Sequence, residues 1–263
     1  DAITGQQVWK VKVEQHQAAI ITGAPQYIQL DNESAPHRII IPVSSSEEGL
    51  GAVPAYACCS FQGSVVSLDA SNGDIVWKTS TIQEAVRETT EGKFGPSGAA
   101  IWSAPTIDLE LNQLYVTTGD AYSAPADSAT DAVIAMDLLN GNILWTRQGT
   151  PDDIWTVICM TPNAFPECGP DQDFGSPGIL VSANNQAFLV AGQKSGIVRA
   201  YERASGNILW QTALVENTTE FGGKIVWGGA SDEQKSYWGM GNNEINAVKL
   251  SDGSVQWSRS IPP

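Results

Sequence analysis

One phrase, repeated down the chain, constrains this sequence more than any other feature. It runs from Ala135 to Trp145, and it recurs from Ser67 to Trp77, from Ala200 to Trp210 and from Ala247 to Trp257. A shorter copy spans Asp1 to Trp9. In every copy a glycine (Gly5, Gly73, Gly141, Gly206, Gly253) stands four residues before the tryptophan. In the four longer copies an Ala or Ser stands ten before it. Each copy reads as strand, turn, strand. The glycine follows Thr, Asn, Ser or Asp and supplies the positive backbone dihedral of a tight turn. The flanking Val, Ile and Leu suit a pleated, half-buried surface. The small residue leaves room for a neighbouring sheet, and the indole fills the gap between sheets, its N–H satisfied by a backbone carbonyl. A unit that cannot bury its own faces stacks on its copies. The expected fold is all-β: a β-propeller of four-stranded blades, residues 1–263 forming one segment of about four blades, with repeats ending near Trp9, Trp77, Trp145, Trp210 and Trp257.

Composition supports this. The 263 residues include nine Trp, 25 Gly and 14 Pro, with only 16% charged residues, as suits a turn-rich β protein with a large core. The formal charge of -15 sets the surface against phosphate backbones, so nucleic acid is not an expected partner. No apolar run approaches the ~18 residues of a membrane span. No leader peptide is visible, and the chain starts inside a repeat, so it reads as part of a longer gene product or of a closed ring. The four cysteines, Cys58, Cys59, Cys159 and Cys168, allow three pairings. Their even number points to an oxidising compartment, periplasmic or extracellular. Asn32 and Asn217 head glycosylation sequons, used only where a eukaryotic secretory route exists.

In order along the chain, Ala18–Thr22 and Ile39–Val43 are expected strands of the first full blade, followed by a polar, flexible segment from Ser44 to Gly51. Thr81–Gly92 reads as a charged surface insertion with a helical turn. Ala99–Asp108 and Gln113–Thr118 are expected strands, as are Gly178–Ser182, Ala187–Ala191 and Ile197–Glu202. Between Thr150 and Gly178 lies an irregular excursion with five prolines, of the length that in a compact domain usually carries function. Such loops gather on one side of the repeat, where a binding face forms.

Several chemistries find no support. His16 and His37, the only histidines, lie in no metal-ligand spacing with Cys or carboxylate. There is no Gly-x-Ser-x-Gly elbow and no phosphate-binding Gly-x-x-x-x-Gly-Lys loop.

The Trp phrase, taken with the loops Ala57–Val65 (containing Cys58-Cys59), Gly98–Ser103, Thr118–Ser123, Gly169–Gly175 and Ala191–Gly196, resembles the polyvinyl alcohol dehydrogenase-like quinoproteins. These are propellers that bind pyrroloquinoline quinone (PQQ). The resemblance runs from about Ala18 to Trp257, and it implies an eight-bladed parent. It also implies a cofactor stacked between a Cys58-Cys59 disulfide and Trp102, with Lys194 hydrogen-bonding the quinone oxygens. A Ca2+ ion, with Asp120 as ligand, would polarise a quinone carbonyl. Thr156 stands where better-studied relatives carry the catalytic Asp, so the base falls to Asp173, Asp153 or Asp152, with Asp173 preferred at the entry to a strand. Gln62 replaces the family's Arg in the Cys-Cys loop. Read as scaffold alone, Trp102 packs between blades, Asp120 caps a turn, Asp173 opens a strand and Lys194 is a solvated hairpin residue.

Two functions follow. The first is a quinone-dependent oxidation of secondary alcohols, or of polyvinyl alcohol-type polymers, with electrons passed to cytochrome c. The alternative is a propeller scaffold or self-associating structural protein that has lost the cofactor, suggested by Thr156, Gln62 and an open propeller edge.

Overall fold

The structure is a computed structural model that describes residues 1–30, 37–53, 55–90, 92–162, 164–183, 185–216 and 224–262. The sequons at Asn32 and Asn217 lie outside the described residues. Four antiparallel sheets follow one another, each a simple meander. The first holds β1 (Ala19–Ile20), β2 (Gln26–Ile28), β3 (Arg38–Ser45), β4 (Ser64–Asp69) and β5 (Ile75–Ser80). A two-stranded ribbon follows, β6 (Arg87–Thr90) with β7 (Lys93–Gly95). The second blade is β8 (Thr106–Asp108), β9 (Gln113–Thr117), β10 (Ala132–Asp137) and β11 (Ile143–Gln148). The third is β12 (Ile179–Ala183), β13 (Gln186–Gly192), β14 (Ile197–Glu202) and β15 (Ile208–Ala213). The fourth is β16 (Gly229–Ser231), β17 (Lys235–Gly239), β18 (Glu244–Lys249) and β19 (Val255–Ser260). These are the blades of a β-propeller.

The repeated phrase is the last hairpin of every blade. The small residue turns out to be the direct cross-strand partner of the tryptophan: Ser67 faces Trp77, Ala135 faces Trp145, Ala200 faces Trp210 and Ala247 faces Trp257. A β-bulge follows immediately in all four hairpins, which increases the local twist. The indoles of Trp9, Trp77, Trp145 and Trp210 then pack against the turn of the next repeat. Trp9, Trp145 and Trp210 donate Nε1–H to the carbonyls of Ala70, Arg203 and Leu250, whereas Trp77 Nε1 is buried with no acceptor among the described residues. A Cβ on Gly73, Gly141, Gly206 or Gly253 would stand 2.5–2.7 Å from the preceding tryptophan ring. The glycine therefore serves two needs, a positive φ (70–81°) and a vacant side-chain position. Two residues beyond the tryptophan, Thr79, Arg147 and Thr212 each donate to that next glycine's carbonyl. Blade is thus tied to blade by one indole and one to three hydrogen bonds to the turn, over apolar layers such as Tyr115, Val133, Trp145, Leu189 and Tyr201.

Several local expectations are corrected. The edge strand of the first blade is broken into β1 and β2, both pairing with β3. Among its described residues the charged stretch Thr81–Gly92 holds no helical turn and instead opens the β6–β7 ribbon; its Arg, Glu and Thr residues carry no apolar alternation to reveal a strand. Residues 99–105 form a loop, and β8 begins only at Thr106. The segment after Ser44 is not a loose linker: β3 runs to Ser45, and a helical turn, α1 (Glu47–Leu50), follows with Glu47 fully buried. The excursion of 150–178 holds a short 3-10 turn at Val157–Met160 and a Cys159–Cys168 disulfide.

Candidate active site

Loops from successive blades meet through single backbone bridges, Gln62 to Gly98, Gly98 to Ala121, Ala121 to Ile154 and Ile154 to Cys168. Glycine permits this closeness: a Cβ on Gly98 would lie 2.1 Å from the Asp120 carbonyl oxygen. Behind the bridges, the Asp173 carbonyl accepts Lys194 N–H at 3.0 Å and the Asp153 carbonyl accepts Ala121 N–H at 3.2 Å. Side chains far apart in sequence are thereby held together.

Trp102, Asp173, Lys194 and Asp120 line one cavity of about 250 Å3, together with Glu48 and Tyr122. Trp102 donates Nε1–H to Asp173 Oδ2 at 2.9 Å. Lys194 Nζ lies 2.5 Å from Asp173 Oδ1, 2.6 Å from Asp171 Oδ1 and 5.1 Å from the centroid of the Trp102 ring. Its turn is stiffened by the buried Gln193, whose Oε1 accepts from Ser195 Oγ and Arg199 Nη1. Lys194 is therefore not a solvated hairpin residue. Burial disfavours its charge, but the carboxylates of Asp173, Asp120 and Asp171 outweigh burial and hold it firmly protonated. Burial raises the pKa of Asp173, against the pull of Lys194. Burial, then Asp173 and Asp131, push Asp120 well up.

Asp153 lies deeper. Its Oδ1 and Oδ2 accept the backbone N–H groups of Asp171 and Gln172, so its carboxylate shapes the loop that presents Asp173. Asp152 is exposed at a positive-φ turn. Cys58 and Cys59 are joined in a disulfide. Its loop is fastened by Glu47, which accepts from Tyr56 Oη and from the N–H groups of Ser60 and Phe61. Cys58 lines a second, larger space of about 760 Å3 with Tyr56, Thr156 and Phe165, and Cys59 is packed in the core. Tyr122 belongs to both walls. Gln62 donates to the carbonyls of Glu84 and Pro96, bracing the loop.

Sequence reasoning missed Glu48, Asp131, Asp171, Lys224 and Trp227. Asp171 was signalled by the spacing Asp-Gln-Asp, and Asp131 by a charge placed directly before the apolar run Ala132–Met136. Lys224 reaches Asp171 Oδ2 at 2.7 Å and its carbonyl at 2.8 Å. Trp227, 87% exposed, stands edge-on to Trp102 with ring centroids 6.3 Å apart. Asp120, Asp171 and Asp173 offer oxygens within 4.8 Å of one another, and Asp120 Oδ1 is buried without a donor. That donor set suits a hard cation.

Residues 50–164 match the family model for the β-propeller domain of glucose, ethanol and alcohol dehydrogenases, and residues 194–262 match that of the outer-membrane protein assembly factor BamB. A polyvinylalcohol dehydrogenase from a Pseudomonas species is 33% identical across 100% of this chain and 42% of its own length. A second polyvinylalcohol dehydrogenase, from a Sphingopyxis species, is 32% identical over 98% of this chain and 41% of its length. The fold is shared with a quinohemoprotein alcohol dehydrogenase of Pseudomonas putida (TM-score 0.64, 14% identity, 99% of this chain and 55% of that one). A europium-containing methanol dehydrogenase shares it likewise (TM-score 0.67, 14% identity, 98% and 57%). Meander blades locked by Trp-to-Gly contacts, with these matches, define a propeller chain of the PQQ-repeat dehydrogenase class. Within that class the chain belongs with the polyvinyl alcohol dehydrogenase-like quinoproteins. It spans 42% of the length of the first of these relatives.

Proposed function

We propose that this chain forms part of the catalytic face of a quinone-dependent alcohol dehydrogenase, a single propeller segment from an eight-bladed parent. The observation that carries the reading is Asp173, a buried carboxylate held between the Trp102 indole N–H and the Lys194 ammonium. In this reading Asp173 takes the hydroxyl proton of the alcohol. Trp102 fixes the aim of its carboxylate, and Lys194 favours its ionised form against burial while presenting positive charge to the cavity. Asp120, Asp171 and Asp173 would hold Ca2+, which would act there as a Lewis acid. PQQ, when bound, supplies a two-electron acceptor for the hydride leaving the alcohol carbon. The Trp102 indole, Lys194 and the hydroxyls of Ser44 and Ser45 offer it an aromatic surface and hydrogen-bond partners. Its relatives' names support secondary alcohols and polyvinyl alcohol-type polymers as substrates. Cytochrome c as acceptor, and a periplasmic or extracellular setting with two disulfides, belong to the same proposal.

The test is absorbance after adding PQQ and Ca2+. A quinone band that survives dialysis, with dye reduction on adding alcohol, supports the reading; an Asp173→Asn variant should keep the band and lose dye reduction. A second reading, a self-associating scaffold without cofactor, draws on β19, which is exposed along its whole length with Trp257 on it. It predicts no retained band and an assembly state that grows with concentration.

A further inference from the structure

Behind the cavity, Asp131 sits at the entry to β10 with 0% of its surface exposed. Its carboxylate, together with those of Asp120 and Asp153, offers oxygens within 4.8 Å of one another. All three residues are buried, at 0%, 2% and 1% exposure. By hydrogen-bond geometry no donor among the described residues is aligned on either oxygen of Asp131 or on Asp120 Oδ1, and the polar groups that stand beside the Asp131 carboxylate and favour its charge are the Asp120 carboxyl and the Thr130 hydroxyl. The Thr130 hydroxyl also donates to the Asp127 carbonyl at 2.8 Å. The ammonium groups of Lys194 and Lys224 are both paired with Asp171 instead.

Buried carboxylates without donors are costly unless a proton or a cation neutralises them. The backbone compounds the cost: Asp131 has φ +50°, a left-handed conformation that β-carbon-bearing residues seldom adopt. Its N–H is tied to the Gly119 carbonyl at 3.0 Å, which holds the carboxylate in place beside Asp120.

We propose that Asp131, Asp120 and Asp153 bind a second, fully buried divalent cation of the hard, oxygen-seeking kind. The site is distinct from the Asp120–Asp171–Asp173 group, of which Asp120 and Asp173 line the cavity, and Asp120 is common to both. Carboxylates alone, with no Cys or His nearby in the group, select Ca2+-like ions over softer metals. Asp120 also lines the cavity, which makes it the route of entry. The role is structural: the ion neutralises the layer on which the catalytic loops rest, so it does not depend on the chain's being a dehydrogenase.

Calcium alone is the probe. The protein is stripped with chelator, titrated with Ca2+ without quinone, and its bound calcium counted after dialysis. Wild type is expected to hold two ions per chain. Asp131→Asn, which tolerates the left-handed backbone, should hold one and should lose the part of the Tm gain due to the inner ion. Asp171→Asn should lose the outer ion and keep the inner one. Wild type holding a single ion that Asp131→Asn retains overturns the proposal, as does a stoichiometry unaffected by Asp131→Asn. Near-ultraviolet circular dichroism verifies that each variant is folded, and Asp131→Ser replaces any that is not. If quinone binding fails while the two-ion count holds, the dehydrogenase reading falls and this one stands.

Discussion

Trp145 packs against Gly206 of the following repeat, where a β-carbon would stand 2.6 Å from the indole ring. The same pairing joins Trp9 to Gly73, Trp77 to Gly141 and Trp210 to Gly253. Gly206→Ala combines a left-handed backbone at φ +70° with a steric clash, and is expected to cost about 2–5 kcal/mol. Gly5, at φ +69° with nothing within 4 Å, isolates the backbone part; Gly5→Ala should cost at most about 1–2 kcal/mol. Urea midpoints at constant m-value measure both, and equal losses would mean that the indole contact contributes nothing.

Removing the proposed base should separate chemistry from binding. Asp173→Asn is expected to lower kcat by about 10²–10⁴-fold with quinone still bound. Trp102→Phe deletes the N–H that favours the ionised carboxylate. Because the base must be ionised to act, the acid limb of kcat/KM should move to higher pH in Trp102→Phe. An unmoved limb would assign the titration to another group.

Glu48 provides a titration outside the proposed chemistry. Burial, with Asp173 adding repulsion, raises it from an ordinary 4.5 to about 7. A carboxyl whose folded pKa is raised stabilises the fold in its protonated form, so its contribution is full below pH 4.5 and fades as pH rises towards 7. Glu48→Gln should therefore unfold at a higher temperature than wild type above pH 7, with the difference vanishing near pH 4.5. Thermal unfolding across that range checks it in the absence of added metal.

Glu47 is the fastening of the Cys58-Cys59 loop, a fully buried carboxylate accepting from two backbone N–H groups and a tyrosine. Glu47→Gln turns one acceptor into a donor facing a donor, at an expected cost of about 2–4 kcal/mol. Chemical denaturation gives the number, and a loss below about 0.5 kcal/mol would mean that the loop is held by other contacts.

Local patterning revealed much of the architecture. Strand, turn glycine and indole lie within eleven residues of one another, so their meaning does not depend on the rest of the chain. The bulge after each small residue was not visible, because it is a property of pairing rather than of either strand. Trp102, Lys194 and Asp120 were named through the resemblance of their loops and Asp173 from its place at a strand entry, and the fold brings those four to one cavity. Lys224 and Glu48 escaped notice because nothing near them in sequence distinguishes a buried carboxylate or ammonium from a solvated one. The disulfide and Trp102 were paired by resemblance; Cys58 and Trp102 line neighbouring spaces that share Tyr122.

The sequence by itself determined that this protein is a stack of Trp-bearing β-meanders, since a period-two strand and a glycine turn are local facts that repetition makes unmistakable. Only the tertiary structure decided which charges meet. Coulomb energy and desolvation depend on distances across blades and on the exclusion of water, and neither quantity is written in the order of the residues.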